Sequence, residues 1–168
     1  RCIYSVPMRV LAKQFYREYQ KVVERYNSKF SLEQKIAVKT QTGEQPEDRE
    51  LTANLIFATI DQTLSSYLLA PYSLGRRMAN VNAGAVMSSY LVFDEFHLYD
   101  PASTLPTTLI MLKTLKNITP FVLMTATFSD VMLQELGQLL NAEVFPKTSE
   151  ERGQLENLSS QQKQRFYR

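Results

Sequence analysis

One short run in the 168 residues concentrates the groups able to handle protons and metal ions. In Val92-Phe93-Asp94-Glu95-Phe96-His97-Leu98-Tyr99-Asp100 an apolar segment ends in two adjacent carboxylates, and the chain's only histidine follows two positions later. Adjacent acids just past a strand aim in different directions, so they can divide two tasks between them. Asp94 is suited to holding Mg2+ together with nucleotide phosphates, and Glu95 to orienting and deprotonating a water that attacks a phosphoryl group. His97 lies close enough to report on that site. An isolated Asp-Glu pair after a strand is also an ordinary solvated loop start. A second polar strand end shifts the balance. Thr125-Ala126-Thr127 closes the next apolar run, and sequential parallel strands are often neighbours, which would set the Thr125 and Thr127 hydroxyls beside the acids and His97.

The surrounding pattern supplies strands and helices to position these groups. "CIYSVP" is a short apolar run broken by Pro7, and the following "MRVLAKQFYREYQKVVERY" spaces Val10, Leu11, Phe15, Tyr19, Val22 and Val23 on a helical period. "KIAVKT" and "NLIFAT" predict two further strands, separated by a polar loop with Gly43 and Pro46. "IDQTLSSYLLA" predicts a helix, and residues 71–85, with one Pro, two Gly and two Asn, an irregular surface loop. "SSYLVFD" has the unalternating apolar centre of a strand buried on both faces. A helix is expected to open at Pro101 and bend or restart at Pro106. "PFVLMTAT" predicts the fifth strand, "SDVMLQELGQLLN" a helix capped by Ser129 or Asp130, and "AEVF" a possible sixth strand. Strands alternating with helices predict the α/β class, a parallel sheet flanked by helices on both faces, whose chemistry collects at the carboxyl ends of the strands.

Composition sets outer bounds. With 44% hydrophobic and 21% charged residues, the chain has the balance of a soluble globular domain rather than a disordered or collagenous one. The net charge is only +2, so binding to nucleic acid must come from local placement of Lys and Arg. The lone Cys2 cannot form an intrachain disulfide or a cysteine-rich zinc site. No apolar run reaches the roughly 18 residues of a membrane span, and no signal-peptide pattern opens the chain, so a cytoplasmic location without membrane association is expected.

Taken in order, these strand ends resemble a family. Asp94-Glu95-Phe96-His97 is similar to the DExH form of motif II of superfamily 2 helicases, and Thr125-Ala126-Thr127 to their motif III. Pro7-Met8-Arg9-Val10-Leu11-Ala12 resembles motif Ia, Thr42-Gly43 motif Ib, and Ala58-Thr59-Ile60-Asp61-Gln62 motif Ic. Within the superfamily, "TIDQ" ahead of a long insert and then "DEFHLYDP" look most like the CRISPR-associated helicase-nuclease of type I systems, the Cas-three type. The resemblance implies a first RecA-like motor domain over residues 1–146, followed by a linker over 147–168. It also implies ATP and Mg2+ as cofactors, with Asp94 and Glu95 at the nucleotide and Asp94 on the metal. The acids would act in catalysis together with His97, Thr125 and Thr127. Arg9, Thr42, Gly43 and Thr59 would touch the backbone of single-stranded DNA; Arg9 can pair a phosphate, and hydroxyls can bond phosphate oxygens without reading bases. The partners implied are a CRISPR surveillance complex, a second RecA-like domain and a nuclease domain.

One departure stands out: no G-x-x-x-x-G-K-[ST] run occurs within these residues. The sequence therefore leads to the expectation of a partial motor domain that does not hydrolyse ATP by itself. Two other readings stay open, an RNA or DNA-repair helicase of the same superfamily and a non-catalytic RecA-like interaction module.

Overall fold

A computed structural model describes residues 1–30, 34–44, 46–147 and 151. The chain divides into two compact units, Arg1–Phe128 and a second beginning at Ser129. In the first, five strands, β1 (Cys2–Val6), β2 (Val38–Gln41), β3 (Leu55–Thr59), β4 (Tyr90–Phe93) and β5 (Phe121–Leu123), form one sheet in the order β2-β3-β1-β4-β5. Every pairing is parallel.

Side chains of adjacent strand residues point to opposite faces, and both faces of β1 are used. Tyr4 and Val6 join Phe57 and Val38 in a cluster against α1 (Arg9–Lys29), which adds Ala12, Leu11, Phe15, Tyr16 and Val23. The rings of Tyr4, Phe15 and Phe57 meet at 5.4–5.9 Å. On the other face, Ser5 shares a 2.8 Å hydrogen bond with Thr63 of α2 (Ile60–Tyr67). α3 (Ala79–Met87) and α4 (Thr104–Leu115) both pack on α2. The expected parallel sheet with helices on both faces is therefore present. The chain leaves β1 over one face and β4 over the other, so the carboxyl ends of β1 and β4 bound a topological switch point, the usual place for a ligand in such sheets.

Three elements differ from their sequence expectation. Much of the anticipated loop 71–85 is helical: α3 carries Asn80, Asn82 and Gly84, all poor formers, yet Ala79, Asn82, Ala83, Ala85 and Val86 are buried. Packing against α2 overrides propensity there. α4 starts at Thr104, not at Pro101, and Pro106 lies in its first turn, where no intrahelical N–H bond is lost. No strand forms at residues 142–145. In the second unit α5 (Asp130–Leu140) is capped by Ser129, whose hydroxyl accepts from the Met132 N–H. The expected linker, apart from Lys147 and Glu151, lies outside the described residues.

Candidate active site

At the carboxyl end of β4 the backbone is tied to both neighbouring strands. The Asp94 N–H donates to the Ser5 carbonyl of β1 at 2.9 Å, and Met124, just past β5, exchanges bonds with Phe93 and Phe96 at 2.8 and 2.9 Å. Between these ties Glu95 takes a left-handed conformation with φ 50° and ψ 42°, which costs a non-glycine residue about 1–2 kcal/mol. Asp94 offsets part of this by accepting the Glu95 N–H on Oδ1 at 2.8 Å. A single 3-10 turn follows over Phe96–Leu98. Phe96 is 1% exposed and packs on Tyr99 and Phe128. That anchor leaves Glu95 and His97 on either side of it at the surface of the site.

The second Asp94 oxygen has a partner that the sequence does not announce. Tyr4, on neighbouring β1, donates its hydroxyl to Oδ2 at 2.8 Å. Burial first, and then the Asp94 bond and charge, push the Tyr4 phenol far above its usual range, so it stays a donor. Tyr99 is 2% exposed, and its hydroxyl is buried without a hydrogen-bond partner. Burial and the Asp94 charge keep it protonated as well. Tyr4 is brought in by the strand order, which sets β1 beside β4, whereas Tyr99 follows the 3-10 turn after β4.

His97 occupies the gap between the acids and β5. Its Nδ1 lies 3.5 Å from Glu95 Oε2 and 3.4 Å from Thr125 Oγ1. Both distances are at the outer limit of a hydrogen bond, so the nitrogen is shared by the two groups. A proton on Nδ1 turns it toward the carboxylate; without one it accepts from the threonine. Thr127, by contrast, is exposed two residues beyond, and Thr125 is the hydroxyl brought to His97.

The residues expected at a nucleic-acid track gather along the carboxyl edge of β1, β3 and β2, with unequal access. Arg9 opens α1 and is exposed, and it pairs with Glu44 at 2.8 Å. Lys13, one turn on, holds the other Glu44 oxygen at 3.0 Å. These two cations depress the Glu44 carboxyl below the usual range. Gly43 is exposed beside Glu44, whereas Thr42 is wholly buried and Thr59, the residue before α2, is 5% exposed.

The donor set fits Mg2+ of one kind only. Among the described residues no three His, Cys, Asp or Glu side chains converge on a metal position, which excludes a protein-built cage from that region. One hard carboxylate, Asp94, with Glu95 adjacent, is the small protein contribution typical of an ion that arrives with nucleotide phosphates and keeps its waters.

Comparison with curated protein sequences gives no match. A family model does match: that of the DEAD/DEAH box helicases, over residues 1–136. It takes in all five strands and every candidate residue named above. A sheet whose acids end a strand at a switch point, read together with a match over most of its length, places this chain in the DEAD/DEAH box helicase family, whose members are ATP-dependent motors acting on nucleic acid.

Proposed function

We propose that the chain is part of a motor that moves along single-stranded DNA at the expense of ATP, and that in CRISPR interference it feeds the strand to a nuclease domain. The observation that carries the motor reading is the join at β4: Asp94 fixed through both carboxylate oxygens, with Glu95 and Thr125 sharing one nitrogen of His97. The CRISPR assignment rests on the resemblance of "DEFHLYDP" and "TIDQ" to the helicase-nuclease of type I systems.

Each residue has a separate task. Mg2+, when bound with nucleotide, neutralises charge on the phosphates. Asp94 is the chain's ligand for it, held in orientation by Tyr4 and by the Glu95 N–H. Glu95 accepts a proton from the attacking water. His97 carries the state of Glu95 to Thr125, and so to the strand end of β5. Arg9 and the Gly43 loop meet phosphates at the outer edge, without base contacts.

Measuring ATP turnover and strand movement by the complete protein on matched single-stranded DNA and RNA tests the substrate assignment. The reading predicts stimulation by DNA of any sequence and little by RNA. Preferential stimulation by RNA would move the chain to the RNA helicases, and no stimulation by either would leave an interaction module.

A further inference from the structure

The cations of α1 are not scattered. Arg9, Lys13, Arg17, Lys21, Arg25 and Lys29 recur at every fourth position from the first residue of the helix to its last. Residues four apart form one ridge along a helix, spaced by about 6 Å at 1.5 Å of rise per residue. Six cations share the helix with only two acids, Glu18 and Glu24, whereas the whole chain is only +2. The helix is thus net +4 and the rest of the chain net −2, so the excess of positive over negative charge lies on this helix. All six but Lys13 are exposed, and Lys13 is partly so. Of these six, Arg9 and Lys13 are the ones in ion pairs among the described residues, both to Glu44.

An apolar row flanks the lower half of the ridge, one position on: Val22, Tyr26 and Phe30, exposed by 58%, 44% and 45%. The Tyr26 and Phe30 rings lie 4.6 Å apart, and the Lys29 ammonium sits over Phe30 at 5.7 Å. The face that packs on the sheet, with Ala12, Phe15, Tyr19 and Val23, lies opposite the middle of the ridge, so core packing does not explain the cations; Tyr26 and Phe30 continue that stripe at the far end of the helix, where both rings stay exposed.

We propose that α1 is a second binding surface for a nucleic-acid strand, with phosphates along the cationic ridge of its outer face and bases stacked on Tyr26 and Phe30 exposed at its far end. A row of cations beside exposed rings is the arrangement that holds single strands without sequence preference, because every base offers a face to stack. Because β1 and β2 are parallel, α1 must carry the chain back across the sheet. The ridge therefore begins at Arg9 on the carboxyl edge and descends away from it, so that strand passing the edge continues down the side of the domain. The surface extends the nucleic-acid reading of the site and rests on it.

The test is fluorescence anisotropy of a labelled oligothymidylate, long enough to pass the edge and the helix, titrated with the full-length protein over a range of salt. Arg17→Gln, Lys21→Gln and Arg25→Gln combined should lower affinity at low salt by about tenfold or more, and should flatten the log-log salt slope by about 2, at roughly 0.7 per lost phosphate contact. Removing three exposed cations elsewhere, Lys39→Gln, Lys113→Gln and Lys116→Gln, should leave the slope near that of wild type. Tyr26→Ala with Phe30→Ala should weaken binding at an unchanged slope. Circular dichroism of each variant confirms folding, and Lys21→Gln alone, expected to flatten the slope by less than 1, repeats the test if the triple variant does not fold. Equal losses in the ridge and control variants would overturn the ridge while leaving the motor reading intact. Duplex DNA that displaces the oligothymidylate as well as single strands do would overturn the single-strand assignment. No binding by the wild-type protein at low salt would overturn both readings.

Discussion

Asp94 shows how much of the site resides in hydrogen bonds that no local pattern predicts. The two acids and the histidine stand out in the sequence; the Tyr4 hydroxyl that orients Asp94 is 90 residues away and becomes relevant only because β1 lies beside β4. Tyr4→Phe keeps the ring among Phe15 and Phe57 and deletes only the donor. A lost hydrogen bond to a charged acceptor is worth about 1.5–3 kcal/mol. Because the bond is made within the folded chain and needs no metal, its loss should lower the melting temperature by several degrees, and the less firmly oriented Asp94 should need several-fold more Mg2+ for half-saturation of nucleotide binding. Unchanged Mg2+ dependence, measured by nucleotide binding under a metal titration, would show that the bond is incidental. The two threonines were equivalent as sequence; the structure separates them. Thr125→Ala is expected to uncouple strand movement from ATP turnover in the complete protein, and Thr127→Ala to do so much less. Parallel losses of both activities in Thr125→Ala would remove the coupling role.

Among the elements, five strands were legible because each is a compact apolar run bounded by Pro, Gly or a polar end, and these five pair as a parallel sheet, whereas the sixth expected at residues 142–145 does not form. The helix α3 was not legible. Its Asn and Gly content resembles a loop, and only the neighbouring α2, invisible to a local reading, makes burial of Ala83 and Val86 favourable. The same limit applies to Thr42 and Thr59: their positions at strand ends are evident from sequence, but their burial depends on what packs over them. At α5 the local signal sufficed, because Ser129 caps as its type predicts. Ser129→Ala should destabilise that helix by about 1 kcal/mol, measurable by denaturant unfolding; no change would mean that the cap bond is replaced by water. At the start of α1, Glu44 holds two cations that the proposed track would otherwise offer to phosphate. Glu44→Gln is expected to tighten nucleic-acid binding several-fold at low salt, an effect that screening removes at high salt. Weaker binding would make Glu44 a support for Arg9 rather than a competitor.

At the scale of the molecule, family membership and fold agree, and the modest net charge conceals an uneven distribution. The excess of positive charge lies on α1, while the nucleotide chemistry is assigned to acids at the seam between β1 and β4. These residues contain no phosphate-cradling glycine-lysine run, and in phosphoryl transfer that loop supplies much of the hold on the terminal phosphates. The 168 residues alone are accordingly expected to hydrolyse no ATP. The central claim, that the β4 strand end performs the chemistry of an ATP-driven motor, is tested most directly by Glu95→Gln in the complete protein. Nucleotide affinity should stay near that of wild type while DNA-stimulated ATP turnover falls by about 10²-fold or more, the usual contribution of a positioned acid-base group. Turnover equal to wild type at unchanged nucleotide affinity would contradict the claim.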